Sequence, residues 1–250
     1  MSEIRTLLYR DWLELKRKYL SYILLWFSLP MVIHLFMVIP LASQIFSVDL
    51  MNYTNWASVG IWICSSAIIS FTYSNIKMKN LLYKNDYIAK YLKAPISNGQ
   101  LLVSLLLFSI IIGLIQLAIA MVITIALNND NLNLMQLLLI FINTASIVTF
   151  FSIIGLFFGI HAKDELYSIF IFLIMFIILL FSLGTLIPIE ESHNKFLILI
   201  RNFPIYKIVL NVQLLYAGKS AIISPVVVMN IINIISFVIV LVFSYKKFRK

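Results

Sequence analysis

The side chains that could carry chemistry are few and scattered. His34 and Cys64 lie inside long apolar segments, and two further histidines, His161 and His193, stand outside the apolar interior. Metal binding and nucleophilic catalysis need several His, Cys, Asp or Glu side chains close together. We therefore expect a chain that is not an enzyme and that holds no cofactor or metal ion of its own.

His34 is an ionisable side chain deep in an apolar segment, where such residues are usually functional. It follows Pro30 by four positions, and a proline inside a helix leaves a backbone carbonyl without its partner. The alternative is that the His34 imidazole bonds this carbonyl. Cys64 is interpreted as a small buried hydrophobe, since a single cysteine forms no intramolecular disulfide.

The sequence Gly218-Lys219-Ser220 has the last three residues of a phosphate-binding loop, whose pattern is GxxxxGK[ST]. Gln213 stands where that pattern requires its first glycine, and no strand pattern precedes it. We conclude that this segment is not a nucleotide site. ATP and Mg²⁺ would be bound by a partner subunit.

Long apolar segments dominate the chain. Hydrophobic residues make up 62% of it and charged residues 12%, and the mean hydropathy is +1.01. A helix of roughly 20 apolar residues crosses a bilayer. The sequence predicts an all-α polytopic membrane protein with a single domain, residues 1–250, and six transmembrane helices at 21–43, 56–76, 101–127, 133–160, 166–187 and 223–243.

The basic residues orient these spans, because short loops rich in Lys and Arg stay in the cytoplasm. With both termini inside, fifteen of the nineteen Lys and Arg residues are cytoplasmic, and the other four fall in the last outer loop. We predict cytoplasmic termini, with a basic tail at 244–250, in a bacterial inner membrane. The net charge of +9 follows from this topology and does not indicate nucleic-acid binding.

Residues 1–20 precede the first span and have helical periodicity. One face carries Ile4, Leu8, Trp12, Leu15 and Tyr19, and most charged residues lie elsewhere. This pattern predicts an amphipathic helix in the membrane interface, with Trp12 and Tyr19 at headgroup depth. The alternative is a plain charged leader before the first span.

Two loops show patterns of their own. In the inner loop from Lys77 to Gln100, an apolar helical stripe runs to Leu92 and Pro95 ends it, which predicts a short projection into the cytoplasm rather than a simple connection. In the outer segment 188–222, two short amphipathic helices meet at Pro204 and would turn back against the membrane. A plain surface loop is the alternative there.

Glycines and amides inside the spans indicate helix packing. Gly155 and Gly159 form a GxxxG pair, which we assign to packing within the chain. Four amides are expected to link neighbouring helices through hydrogen bonds: Gln116, Asn143, Asn230 and Asn233.

Three segments resemble a known family, the type-2 permease subunits of ABC exporters. Tyr91-Leu92-Lys93-Ala94-Pro95-Ile96-Ser97 is similar to the family's first intracellular loop. Gly184-Thr185-Leu186-Ile187-Pro188 resembles its Ser-Gly-x-x-Phe-Pro, and Asn202-Phe203-Pro204 resembles its Asn-Pro before an outer helix. This chain departs from the pattern at Leu183, at Ile187 and at the inserted Phe203.

The resemblance implies a permease half that pairs with a second copy or a close relative, each half docking one cytoplasmic ABC ATPase subunit. It implies an exported substrate that is amphipathic or lipid-linked, such as a drug, a peptide or a glycan. It would assign ATPase coupling to Tyr91, Leu92, Lys93, Ala94, Pro95, Ile96, Lys163, Asp164 and Glu165. It would assign the pathway or dimer seam to Pro30, His34, Phe172, Phe176 and Phe181, and the outer re-entrant turn to Gly184, Pro188, Asn202 and Pro204.

Two other classes stay open. A secondary transporter would show inverted repeats and charged residues at mid-span, and neither is evident in this sequence. A non-transporting membrane anchor or immunity subunit would share the same succession of spans.

Overall fold

The computed structural model describes residues 2–48, 51–83, 96–128, 132–161, 164–188, 200–220 and 222–248. Over these residues the protein is all-α apart from two short antiparallel strands, β1 (Ser47–Val48) and β2 (Met51–Asn52). The helices in chain order are α1 (Ser2–Arg17), α2 (Tyr19–Ala42), α3 (Tyr53–Tyr83), α4 (Asn98–Asn128), α5 (Leu134–His161), α6 (Glu165–Ile177), α7 (Pro204–Tyr216) and α8 (Ser224–Phe248). A π-helical turn, His34–Val38, interrupts α2, and another, Ile178–Ser182, continues α6.

Within the described ranges, five helices are long and apolar enough to cross a membrane: Tyr19–Ala42, Tyr53–Tyr83, Asn98–Asn128, Leu134–His161 and Ser224–Lys247. They coincide with five of the predicted spans, and the all-α fold is confirmed. The fifth predicted span, 166–187, corresponds to a shorter apolar helix, Leu166–Phe181. Helical structure stops after Ser182 because Gly184 has a φ of 69°, a left-handed conformation that commonly ends helices.

The long helices connect the same two ends of the bundle. At the end that we call the Tyr83 end, the Tyr83 hydroxyl donates to the Ile160 carbonyl at 2.7 Å. At the opposite end, called the Tyr53 end, the Tyr53 hydroxyl donates to the Leu186 carbonyl at 2.6 Å. The chain from α6 to Leu186 therefore reaches the Tyr53 end as well.

Helix α3 is the centre of the bundle. Its apolar window is 94% buried, against 22% for α2 and 17% for α8. Small residues explain this position, because they let helices approach closely: a Cβ at Gly155 of α5 would lie 2.0 Å from Ser74 Oγ, and one at Gly159 would lie 2.7 Å from Met78 Cβ. The GxxxG pair packs inside the chain, as predicted.

Helix α1 forms as predicted, and the face that packs on the bundle combines Leu8 and Leu15 of the predicted apolar face with Leu7 and Asp11. Leu7, Asp11 and Leu15 are 4%, 1% and 8% exposed, whereas Trp12 and Tyr19 are about half exposed. A face with a carboxylate at its centre therefore packs on the bundle. The Asp11 carboxylate can be buried there because a cationic side chain of α3, Lys77, lies beside it.

Two of the four amides link helices as predicted. Gln116 Nε2 of α4 donates to the Trp26 carbonyl of α2 at 3.1 Å, and Asn233 Nδ2 of α8 donates to the Ser146 carbonyl of α5 at 3.0 Å. The prediction for Asn143 is wrong, since its amide donates to the Leu139 carbonyl one turn earlier in its own helix. Asn230 lies on the exposed side of α8.

Helix α7 matches the second predicted outer helix, and the residues of the first, 189–199, lie outside the described part of the chain. Pro204 is its first residue. The backbone N–H at this position has no acceptor within the helix, so proline, which lacks that N–H, fits there. The helix ends at Tyr216. Two residues later Gly218 has a φ of 74°, and the turn is closed by Lys219 N–H donating to the Leu214 carbonyl and Gly218 N–H donating to the Leu215 carbonyl. The segment Gly218-Lys219-Ser220 thus ends a helix, whereas a phosphate-binding loop begins one.

Candidate functional site

A buried ionic cluster joins α1 to α3 near the Tyr83 end. The Asp11 side chain is fully buried, with Oδ1 2.8 Å from Arg10 Nη2 and 3.6 Å from Lys77 Nζ. Lys77 also donates a hydrogen bond to the Glu14 carboxylate. Because a buried carboxylate is strongly destabilising without a partner, this cluster fixes α1 against the bundle.

Glu14 lies at the edge of the ionic cluster, on α1. Burial opposes ionisation of its carboxyl, but the hydrogen bond and charge of Lys77, helped by Lys18 and Arg10, outweigh burial and lower the pKa of Glu14 below its usual 4.5. Glu14 is therefore ionised at neutral pH and stays paired with Lys77.

Two cavities flank α3 near the Tyr83 end. The first, called the α6 cavity, has a volume of about 490 Å³ and lies between α3 and α6. The second, called the α1 cavity, has a volume of about 310 Å³ and lies among α1, α2, α3 and α4. Both are within the size range of ligand sites. Thr72, Ile76 and Asn80 of α3 line both cavities, so this part of α3 separates them.

The residues assigned to the pathway lie on two helices that each contact α3. Pro30 and His34 are buried on α2, while Phe172 and Phe176 stack on α6 with ring centroids 6.1 Å apart and Phe181 is 42% exposed. Within the described residues, α2 and α6 share no extensive contact. Phe172 lines the α6 cavity.

Gln116, rather than His34, donates a hydrogen bond to the carbonyl that Pro30 leaves free. Pro30 has no N–H for the Trp26 carbonyl one turn earlier, and this carbonyl accepts from Gln116. Nδ1 of His34 is buried with no hydrogen-bond partner in the described ranges. His34 also begins the π-helical turn of α2, so the helix is irregular over the two turns around it.

At the Tyr53 end, the segment after α6 closes onto α3 and α7. Thr185 Oγ1 donates to the Leu179 carbonyl at 2.5 Å, and the Cys64 thiol approaches the same carbonyl at 3.4 Å. A Cβ at Gly60 would lie 2.0 Å from the Thr185 carbonyl oxygen, so only glycine permits this approach. Gln213 Nε2 of α7 donates to the Gly184 carbonyl at 3.1 Å.

One of the residues assigned to the outer turn, Gly184, lies in this junction. Gly184 belongs to it through its positive φ and its bond to Gln213. Pro188 is half-buried, Asn202 is exposed and Pro204 begins α7. The expectation that Cys64 is buried is confirmed, and its thiol also bonds a carbonyl.

The residues assigned to ATPase coupling lie mostly outside the described ranges: Tyr91, Leu92, Lys93, Ala94, Pro95 and Lys163. Ile96 is half-buried and packs against a cluster that joins α3, α4, α5 and α8, with Leu81, Leu102, Leu156 and Val240 among its members. Asp164 is exposed, and α6 begins at Glu165. The described coupling residues are thus at the Tyr83 end.

The sequence interpretation missed Asp11 and Asn75 as candidates and used Lys77 and Lys79 for topology alone. A signal for Asp11 was present, because Leu7, Asp11 and Leu15 are four residues apart and share one helical face. Asn75 and Lys79 have the same spacing on α3, and both line the α6 cavity. Over the described ranges, no three His, Cys, Asp or Glu side chains come close enough to hold a metal ion.

No protein-family model, no curated protein and no solved structure matches this chain. Its class therefore follows from its own fold. The chain is an all-α membrane protein in which a buried central helix, α3, carries a cavity on each side and an ionic link to the N-terminal helix.

Proposed function

We propose that this chain is the membrane-spanning permease subunit of an ABC exporter. Two permease subunits would form the translocation pathway, and each would bind one cytoplasmic ATPase subunit that holds ATP and Mg²⁺. The observation that carries the proposal is the packing of Ile96, which belongs to the segment that resembles the family's coupling loop. Because Ile96 contacts the cluster that joins α3, α4, α5 and α8, a displacement of this segment would act on four helices together.

Six spans and cytoplasmic termini belong to this proposal, with the protein in a bacterial inner membrane. The fifth crossing would be α6 and the residues that follow it. Two contacts support this: Lys79 Nζ donates to Ser168 Oγ at 3.4 Å near the Tyr83 end, and Leu186 accepts from Tyr53 at the opposite end. The bent segment 183–187 extends the short helix across the remaining distance.

The dimer would form through α2 and α6, which leave much of their apolar surface uncovered. Leu24 and Phe36 of α2 are 62% and 73% exposed, and Leu166 and Phe170 of α6 are 81% and 60% exposed. In a dimer, Pro30, His34, Phe172, Phe176 and Phe181 would lie at the seam or along the pathway. This uncharged lining suits an amphipathic or lipid-linked substrate.

The proposal is tested by affinity purification of the full-length chain from its native membrane. An ATPase with both Walker motifs should co-purify, and the complex should hydrolyse ATP in lipid nanodiscs. The double variant Leu92→Asp with Pro95→Gly should reach the membrane normally and lose the ATPase. Leu134→Asp, an exposed position at the Tyr53 end, is the matched control and should retain it. Retention by the double variant, or transport by the chain alone, contradicts the proposal.

A further inference from the structure

The α6 cavity combines hydrogen-bond donors with an absence of acidic groups. Lys79 contributes its ammonium group, and its hydrogen bond in the described structure is a long one, 3.4 Å to Ser168 Oγ. Among the described residues that line this cavity, none is acidic. A cation in such a setting has no counter-charge from the cavity lining, so the cavity favours an anion.

Asn75 adds a second donor inside the same cavity. Its side chain is 3% exposed, and its Nδ2 has no hydrogen-bond partner among the described residues. A buried amide without a partner is unfavourable, and a ligand oxygen would relieve it. Thr72 Oγ1 in the cavity lining likewise has no hydrogen-bond partner among the described residues. The Tyr83 hydroxyl, in contrast, already donates to the Ile160 carbonyl, so Lys79, Asn75 and Thr72 are the groups that point to a ligand.

One part of the α6 cavity lining is apolar. Phe71 and Ile76 of α3 face Ile169 and Phe172 of α6. Phe172 stacks on Phe176, which continues the apolar surface along α6. A ligand that satisfies both parts of this cavity has an anionic head for Lys79 and a hydrocarbon tail for the aromatic wall.

The α1 cavity on the other side of α3 differs in charge. Its two lysines, Lys18 and Lys77, both pair with Glu14, which lines the same cavity. Each of these lysines therefore has a carboxylate within ion-pair distance, which Lys79 does not have among the described residues that line its cavity. We therefore assign the anion preference to the α6 cavity.

We propose that the α6 cavity binds the phosphate headgroup of an anionic membrane lipid. Lys79 Nζ and Asn75 Nδ2 donate to the phosphate oxygens, and an acyl chain lies against Ile169 and Phe172. Basic pockets between membrane helices recognise lipid headgroups through this combination of charge and burial. The inference concerns binding alone, and it holds whether or not the chain is a permease.

The test is native mass spectrometry of the purified full-length chain, titrated with phosphatidylglycerol and separately with phosphatidylcholine. The wild type should bind phosphatidylglycerol about tenfold more tightly than phosphatidylcholine. Both lipids have a phosphate that accepts from Lys79, but the choline cation of phosphatidylcholine neutralises the headgroup and is repelled by the Lys79 ammonium group. Lys79→Gln should abolish that preference. Lys246→Gln, which removes an exposed lysine from the last turn of α8, should retain it.

Ser168→Asp provides a second variant at the edge of the cavity, because its carboxylate would pair with Lys79 and repel phosphate while Lys79 stays in place. It should also lose the preference. Equal binding of the two lipids by the wild type, or an unchanged preference in both cavity variants, overturns the proposal. Displacement of phosphatidylglycerol by inorganic phosphate at equal concentration would assign the site to a soluble anion and overturn it as a lipid site.

Discussion

The side-chain amide of Gln116 donates to the Trp26 carbonyl oxygen at 3.1 Å, and this bond completes a helix turn that Pro30 leaves open. Pro30 and Gln116 are on different helices, α2 and α4, so the proline is accommodated by a neighbour rather than by its own helix. Membrane helices commonly tolerate proline in this manner. The pair ties the first span to the third at a buried point.

Removing this amide should destabilise the protein more when the proline is present than when it is replaced. Gln116→Leu leaves the Trp26 carbonyl unpaired and should cost about 1 kcal/mol, within the roughly 0.6–2 kcal/mol found for hydrogen bonds between membrane helices. In a Pro30→Ala background, the new backbone N–H at this position bonds that carbonyl, and the same Gln116 substitution should cost less. Unfolding of the four proteins of this cycle in mixed micelles measures the coupling, and additive effects would contradict it.

The ionic cluster predicts unequal effects of two lysines near Glu14. Lys77→Met leaves the fully buried Asp11 carboxylate with less compensation and should destabilise the docked α1 by on the order of 3 kcal/mol. Lys18→Met removes a charge whose side chain is 64% exposed and should cost about 0.5 kcal/mol or less. Hydrogen exchange of residues 2–17 in the full-length protein reports both changes.

A rescue variant separates lost pairing from lost packing. Asp11→Asn combined with Lys77→Met removes the uncompensated charge and should slow exchange in α1 relative to Lys77→Met alone. Equal exchange rates in the Lys77→Met and Lys18→Met proteins would show that Asp11 does not depend on Lys77.

Docking of α1 should weaken in acid through Glu14. Its pKa in the folded protein lies below the ordinary 4.5, so its contribution to stability is complete above that pH and is lost as the pH falls through the folded pKa. The protection factors in α1, which correct for the intrinsic pH dependence of amide exchange, should therefore fall below pH 4.5. Glu14→Gln should exchange faster than the wild type at neutral pH, and this difference should vanish in acid. A difference that persists in acid would assign the effect to packing.

Two glycines provide a matched test of helix packing around α3. Gly155→Ala places a Cβ 2.0 Å from Ser74 Oγ and 2.4 Å from the Phe71 carbonyl oxygen, and overpacking of this kind should cost about 2 kcal/mol. Gly99 is also helical, with nothing within 4 Å of its added Cβ. Gly99→Ala should stabilise slightly, by about 0.5–1 kcal/mol. Thermal unfolding in detergent compares the two, and a stable Gly155→Ala protein would contradict the packing described.

Hydropathy predicted five of the spans because the thickness of the bilayer fixes the length of an apolar helix, and unpaired backbone groups are excluded from the bilayer in any fold. Hydropathy also indicates which helix is central, although the sequence interpretation did not use it. The window of α3 has the lowest mean hydropathy of the five spans, 1.3 against 2.1–2.8, and is the most buried. In lipid the most apolar helices face outward, so the serine-rich helix lies inside.

The site could not be predicted from local pattern in the same way. The buried Asp11 of α1 pairs with Lys77, a residue on another helix, and the partner of the Trp26 carbonyl is ninety positions away in sequence. Periodicity identifies the apolar and polar faces of a helix, but which face is buried also depends on charged residues of other helices. The polar lining of the α6 cavity likewise requires two helices at once.

The number of crossings can be measured with impermeant thiol reagents, because Cys64 is fully buried and should stay unlabelled. In intact cells Phe46→Cys, 83% exposed at the Tyr53 end, should be labelled, and Lys246→Cys at the Tyr83 end should react only after lysis. Asp164 and Phe203 flank α6. Asp164→Cys should react only after lysis, like Lys246→Cys, and Phe203→Cys should be labelled in intact cells, like Phe46→Cys. Labelling of both flanks from the same side would show that α6 does not cross, and would place the two termini on opposite sides of the membrane.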